Sequence, residues 1–269
     1  MILYPHAKIN IGLSITDKRS DGLHNIETVF YPIPIFDKLT IEPATKETIG
    51  KLDFTCTGIE LQGDNLCSKA YHMLDTDFNL PPTSIFLHKV IPVGAGLGGG
   101  SSDAAHTLLA LNKLYHLQIA DEAFNQYASR LGSDCAFFLQ RDPAFGTGKG
   151  DILETVNLSL ADYHILLIKP PIFVSTAEAY SLVTPQKTLH RLPELIKTPV
   201  SEWRHTVFND FEDSVFKKFP QIGEIKERLY HEGAVYASMS GSGSSVYGIF
   251  KEKPDEIAKL FPSCLCFAI

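Results

Sequence analysis

Residues 92–105 read PVGAGLGGGSSDAA, and this stretch limits the possible folds more than any other. Gly94, Gly96, Gly98, Gly99 and Gly100 lie between a strand-like run, TSIFLHKV (83–90), and a helical pattern over 102–115. Glycine lets main-chain N–H groups turn inward and a ligand approach with no Cβ in the way. A helix N-terminus adds unpaired donors and partial positive charge. Strand, bare loop and helix in that order predict an anion cradle, and its natural occupant is a phosphate. A flexible linker fits poorly between two such closely spaced elements. The loop lacks the Gly-Lys-Ser/Thr ending of a Walker A loop. Gly94, Gly96 and Gly99 satisfy G-x-G-x-x-G, yet the next element, ADEAFNQYASRLG, reads as a helix where a dinucleotide fold needs a strand ending in an acid.

The rest of the chain alternates strand and helix patterns. In AKINIGLSIT, Ala7, Ile9, Ile11, Leu13 and Ile15 share one face and Lys8, Asn10, Gly12 and Ser14 the other, which predicts a strand with one buried face. Further strands are expected over 25–35, 38–43 and 51–57, and helices over 65–78 and 121–131. Beyond about residue 150 the pattern predicts a strand at 163–169 and helices near 175–183, 207–218 and 220–231. Strands near 234–238 and 245–250, a helix near 254–261 and a final strand follow. This order suggests an α+β class in two domains, divided as 1–155 and 156–269.

Composition narrows the partners. The 269 residues carry 24 basic against 31 acidic side chains, a net charge of −7, which disfavours a nucleic-acid binder working through a general basic surface. No apolar run approaches the ~18 to 20 residues of a membrane span. The opening residues lack a basic region followed by an unbroken apolar stretch, so a cytoplasmic protein is expected. Cys56, Cys67, Cys135, Cys264 and Cys266 are odd in number and without CxxC spacing, which suggests free thiols rather than a disulfide framework or zinc site.

A phosphate cradle makes phosphoryl transfer the natural chemistry. That reaction needs the phosphates held, the transition-state charge countered and the acceptor hydroxyl aligned beside a carboxylate. Amides from Gly94 to Ser102 meet the first need, and Lys8, on the polar strand face with Asn10, meets the second. Asp134 in LGSDCAFF is the candidate base, with helix capping as its other reading.

The run Pro-x-Gly-x-Gly-Leu-Gly followed by Ser-Ser and alanines resembles the nucleotide loop of the GHMP kinases, small-molecule kinases named for galactose, homoserine, mevalonate and phosphomevalonate. PHAKINIGLSI (5–15) resembles the family's first motif, and SMSGSGSSVYGIF (238–250) resembles its third. RSDGLHNIETVF (19–30), GDNLCSKA (63–70), RLGSDCAFFL (130–139) and NDFE (209–212) are similar to the branch whose acceptor is a methylerythritol carrying a cytidine diphosphate. Leu23 stands where that branch has tyrosine, and Ser133, Asp134, Cys135 and Ala136 replace Ala-Asp-Val-Pro.

The resemblance implies a ribosomal-S5-like N-terminal domain, a ferredoxin-like C-terminal domain, and ATP with Mg²⁺ as cofactors. It places Lys8 and Asp134 at catalysis. It assigns Asn65, Pro92, Val93, Gly94, Ala95, Gly96, Leu97, Gly98, Gly99, Gly100, Ser101, Ser102 and Asp103 to ATP, with Ser101 or Ser102 touching the metal. Asn10, Leu23, His24, Thr176, Tyr180 and Gly241 fall to the acceptor, His24 at the cytosine edge and Tyr180 stacked on the base. Asn65 also reads as an ordinary helix cap, and Tyr180 as part of an apolar helix face. The partners implied are small molecules, with no nucleic acid or membrane, and the chain is expected to be a monomer or weak dimer. The alternatives are a GHMP kinase for another small alcohol and a non-catalytic module on the same fold. Lys8 and Asp134 favour an enzyme, since a module is free to lose them.

Overall fold

The computed structural model describes residues 1–44, 50–61, 65–186, 191–254 and 256–269. Gly63 and Asp64 of GDNLCSKA, and residue 255 of the expected last helix, lie outside them. The chain folds as two units, each assembled from separated segments. The first takes Met1–Ala7, Pro34–Val93 and Gly98–Arg141; the second takes Lys8–Ile33, Gly94–Leu97 and Asp142–Ile269.

In the order of the chain the elements begin with β1 (Ile2–Leu3), β2 (His6–Lys18), β3 (His24–Phe36), β4 (Lys38–Pro43) and β5 (Leu52–Gly58). Then come α1 (Leu66–Phe78), β6 (Thr83–Lys89), α2 (Gly99–Tyr115), α3 (Asp121–Leu131) and a 3-10 helix, Ser133–Leu139. The first unit orders its sheet β1-β4-β6-β5, with β5 parallel to β6 and the other neighbours antiparallel. Leu39, Ile41, Ile85 and Leu87 from this sheet pack with Tyr71 and Leu74 of α1, Leu108 and Leu111 of α2, and Phe124 of α3. That core packs the second half of α2 against the sheet.

The second half adds β7 (Ala144–Thr147), β8 (Ile152–Thr155), β9 (His164–Lys169) and α4 (Thr176–Ser181). After these come α5 (Leu192–Leu195), a 3-10 helix (Val200–His205), α6 (Glu212–Lys218), α7 (Pro220–His231), β10 (Tyr236–Met239), β11 (Val246–Phe250) and β12 (Leu265–Ala268). One sheet runs β2-β3-β7-β8 and the other, wholly antiparallel, β10-β11-β9-β12. In the second unit Leu13, Ile15 and Ile26 share one apolar cluster with Leu166, Ile168, Phe211, Ile222, Leu229 and Phe250.

Three expectations change. Strand β2 is buried on both faces, with Lys8 and Asn10 only 3% and 2% exposed, because hydrogen-bonding groups cover its polar side. The helix expected at 207–218 starts only at Glu212, since Leu13 engages the backbone on either side of Asn209, donating to Phe208 and accepting from Asp210. The expected helix near 254–261 reduces, among its described residues, to a 3-10 turn at Ile257–Leu260.

Candidate active site

Gly94, Gly96 and Gly98 have φ values of 61°, 75° and 69°, the left-handed region that glycine adopts without strain. Gly98 is the N-cap of α2, and its carbonyl accepts the Ser102 amide at 2.8 Å. The amides of Gly99, Gly100 and Ser101 precede the first intrahelical bond and are donors for an anion. Ser102 Oγ is buried with no hydrogen-bond partner among the described residues. Ser101 Oγ lies 3.6 Å from where a Gly132 Cβ would stand, beside the 3-10 helix that carries Asp134. Within that helix Asp134 is half-buried, while the buried Cys135 thiol is pushed up to about 12 by desolvation.

Two residues assigned to ATP have local partners of their own. Asn65 caps α1, its Oδ1 accepting the Ser68 amide at 2.7 Å. Asp103 is buried, its Oδ2 2.9 Å from Lys89 Nζ, and Lys89 also pairs with Asp37. Asp37 in turn accepts the amides of Val90 at 2.5 Å and Ile91 at 2.8 Å. Burial, opposed by Lys89 and reinforced by Asp37, raises the Asp103 carboxyl to about 8. The Lys89 ammonium sits 2.8 Å from where a Gly99 Cβ would lie, so this ion cluster buttresses the first residue of α2.

In the second unit a hydrogen-bond network surrounds Lys8. Its Nζ donates to Asn10 Oδ1 at 2.5 Å and to the Gly96 carbonyl at 3.0 Å. Ser240 Oγ donates to that same carbonyl at 2.8 Å and accepts the Asn10 amide at 3.2 Å. Asn10 Nδ2 donates to Thr28 Oγ1 at 2.9 Å, and the Thr28 hydroxyl donates to the Gly12 carbonyl at 2.6 Å. A Cβ on Gly96 would stand 1.9 Å from the Ser240 carbonyl oxygen, so only glycine fits that position.

The residues expected at the acceptor lie in two places. A Gly241 Cβ would meet Asn10 Oδ1 at 3.2 Å, and Thr176 Oγ1 lies 3.3 Å from Ser242 Oγ, which brings Asn10, Thr176 and Gly241 to one turn. His24 stacks on Tyr180 with centroids 4.8 Å apart and planes 15° from parallel, and Tyr180 stands edge-on to Phe211. Leu23, which precedes His24 in the chain, is 48% exposed. Sequence reasoning missed Thr28, Ser240, the Asp37–Lys89–Asp103 cluster and Phe173. Phe173 is 68% exposed, and its ring edge occupies the space a Gly94 side chain would need. A bulky aromatic beside Ser175 and Thr176 was the available signal for it.

The sequence families described as GHMP kinases N terminal domain and GHMP kinases C terminal match residues 65–141 and 192–261. A 4-diphosphocytidyl-2-C-methyl-D-erythritol kinase of Bacteroides fragilis is 51% identical over 271 residues, covering 99% of this chain and 98% of its own. The chain belongs to the GHMP kinase family. A 4-diphosphocytidyl-2-C-methyl-D-erythritol kinase of Bacteroides thetaiotaomicron is 53% identical over 254 residues, with 93% of this chain and 92% of that one covered. A solved 4-(cytidine 5'-diphospho)-2C-methyl-D-erythritol kinase superposes with a TM-score of 0.83 at 32% identity, covering 100% of this chain and 98% of that one. As a GHMP kinase the chain is an ATP-dependent small-molecule phosphotransferase with an α+β fold. The GHMP architecture accounts for its ferredoxin-like antiparallel sheet, β10-β11-β9-β12.

Proposed function

We propose that this chain transfers the γ-phosphoryl group of ATP to the 2-hydroxyl of 4-diphosphocytidyl-2-C-methyl-D-erythritol, a step of the non-mevalonate route to isoprenoid precursors. The observation that carries this reading is near-full-length similarity, at about half of all positions, to kinases named for that acceptor. The motif residues each keep a part suited to the reaction. Amides at the start of α2 hold the phosphates, helped by the helix dipole. Lys8 offsets the charge that develops on the transferring group, and Asp134 takes the proton of the acceptor hydroxyl. His24 and Tyr180 recognise the cytosine, while Asn10, Thr176 and Gly241 contact the rest of the acceptor.

Mg²⁺ accompanies the nucleotide in this reading. The hydroxyl of Ser102 at the head of α2, without a hydrogen-bond partner among the described residues, would be the single protein ligand to such an ion. The ion supplies charge neutralisation for the phosphates. Among the described residues no group of three or more His, Cys, Asp or Glu side chains is placed to hold a metal.

The division 1–155 and 156–269 belongs to the same proposal, supported by family matches that fall on either side of it. So do a cytoplasmic location, a monomer or weak dimer, and partners limited to small molecules. No described helix is long and apolar enough to cross a membrane. An ATP-consumption assay with the cytidyl acceptor beside mevalonate, homoserine and galactose tests the reading. Turnover should be confined to the cytidyl compound; preference for another alcohol, or none for any, sinks it.

A further inference from the structure

The motif NDFE, 209–212, has no assigned part in the proposed transfer step, yet two of its polar side chains, Asn209 and Glu212, are deeply buried beside Phe211, with only Asp210 partly exposed. Asn209 Nδ2 donates to the carbonyls of Met239 at 2.8 Å and Gly241 at 2.9 Å, and its Oδ1 accepts the Phe211 amide at 3.0 Å. Glu212 Oε1 accepts from the Met239 amide at 2.8 Å and Ser238 Oγ at 3.0 Å, while Oε2 accepts from Lys226 Nζ at 2.5 Å. The pair pins the main chain on both sides of one residue, Ser240.

Ser240 is where that grip becomes chemical. Its hydroxyl reaches the Gly96 carbonyl, which is also an acceptor for the Lys8 ammonium. A continuous line of hydrogen bonds thus runs from the Asn209 amide through the 239–241 turn and Ser240 Oγ to the Gly96 oxygen and Lys8 Nζ. Every member lies in the second unit. A side chain that only tied α6 to the sheet would satisfy its own hydrogen bonds equally well. It would not be expected to grip the two carbonyls that flank the residue sharing an acceptor with Lys8.

We propose that Asn209 is a positioning residue for the transfer step, setting the place of the Lys8 ammonium through Ser240 and the Gly96 carbonyl. The proposal rests on the reading that Lys8 acts on the transferring phosphoryl group. Misplacing such a group by about 1 Å lowers turnover about a hundredfold with little effect on ground-state binding.

Steady-state kinetics on Asn209→Ala, Ser240→Ala and the double variant, with ATP and the cytidyl acceptor, test it. Each single change should lower kcat about ten- to a hundredfold and leave both KM values essentially unmoved. The double variant should be no slower than the slower single, because both changes cut one line. Thermal unfolding accompanies each assay. Should Asn209→Ala fail to fold, Ser240→Ala, which removes one oxygen, decides the matter. Normal kcat in folded Ser240→Ala, multiplying effects in the double variant, or a loss that tracks only the folded fraction overturns the proposal. A wild-type enzyme inactive on this acceptor, run in the same series, overturns instead the functional reading beneath it.

Discussion

In the proposed reaction Asp134 and Lys8 have opposite duties, and each can be removed by a change of a few atoms. Asp134→Asn keeps the shape of the side chain and loses the proton acceptor, so kcat should fall ~10² to 10⁴-fold while ATP still binds. Lys8→Ala should show the same pattern, since its charge matters most as the phosphoryl group moves. Turnover rates set beside nucleotide titrations check both; near-normal kcat in Asp134→Asn would remove it from the role of base. Leu23 allows a test of the base site. It is exposed and precedes His24, one ring of the stacked His24–Tyr180 pair, and leucine has no π face to offer a cytosine. A base on an aromatic ring is worth ~1 to 3 kcal/mol in single-stranded nucleic-acid sites. In the proposed site Tyr180 supplies part of this, so Leu23→Tyr should lower the KM for the cytidyl acceptor only about threefold to tenfold. An unchanged acceptor KM, or an equal shift in the KM for ATP, counts against a base site there.

At the scale of elements, the proposed phosphate site depends on the loop and β2. Gly96→Ala would place a methyl 1.9 Å from the Ser240 carbonyl oxygen at a φ of 75°, so the loop must open. ATP affinity should drop by orders of magnitude in a chain that still folds; calorimetric titration showing wild-type affinity would take the phosphates elsewhere. The loop and the apolar face of β2 were legible in the sequence because both rest on local spacing. The burial of Lys8 and Asn10 was not legible. Their alternation with isoleucines is that of a half-exposed strand, and the groups that cover them, Thr28 and Ser240, come from distant parts of the chain. Helix α2 begins at Gly99 rather than Ser102 because packing against Ile91 and Lys89 overrides the low helix propensity of glycine. Strands β7 and β8, four residues each, are too short for periodicity to reveal.

For the molecule as a whole, acid sensitivity follows from buried imidazoles. His6 packs edge-on against His106, Phe137 and Phe138, and burial with the nearby His106 and Arg141 lowers its pKa from 6.5 to about 4. Burial lowers His106 as well. The unfolded chain binds these protons near pH 6.5 and the folded one, at His6, only near 4, so the His6 contribution to stability is lost as pH falls through that window, while Asp103, raised to about 8, contributes with the opposite sign. The His6 contribution amounts to ~3 kcal/mol by pH 4. Urea unfolding of the wild type and His6→Gln from pH 7.5 down to 4 isolates this share: the wild type should lose stability relative to the variant as pH falls, and parallel curves would deny His6 the role. The braided course of the chain bears on how the protein is made. Leu13 and Ile15 leave the ribosome long before Leu166, Ile222 and Phe250, with which they share a core. Until those segments emerge, the Leu13 and Ile15 side of β2 has only β3 and its Ile26 for company, and most of its apolar cover is still to be made, which favours aggregation of an incomplete chain.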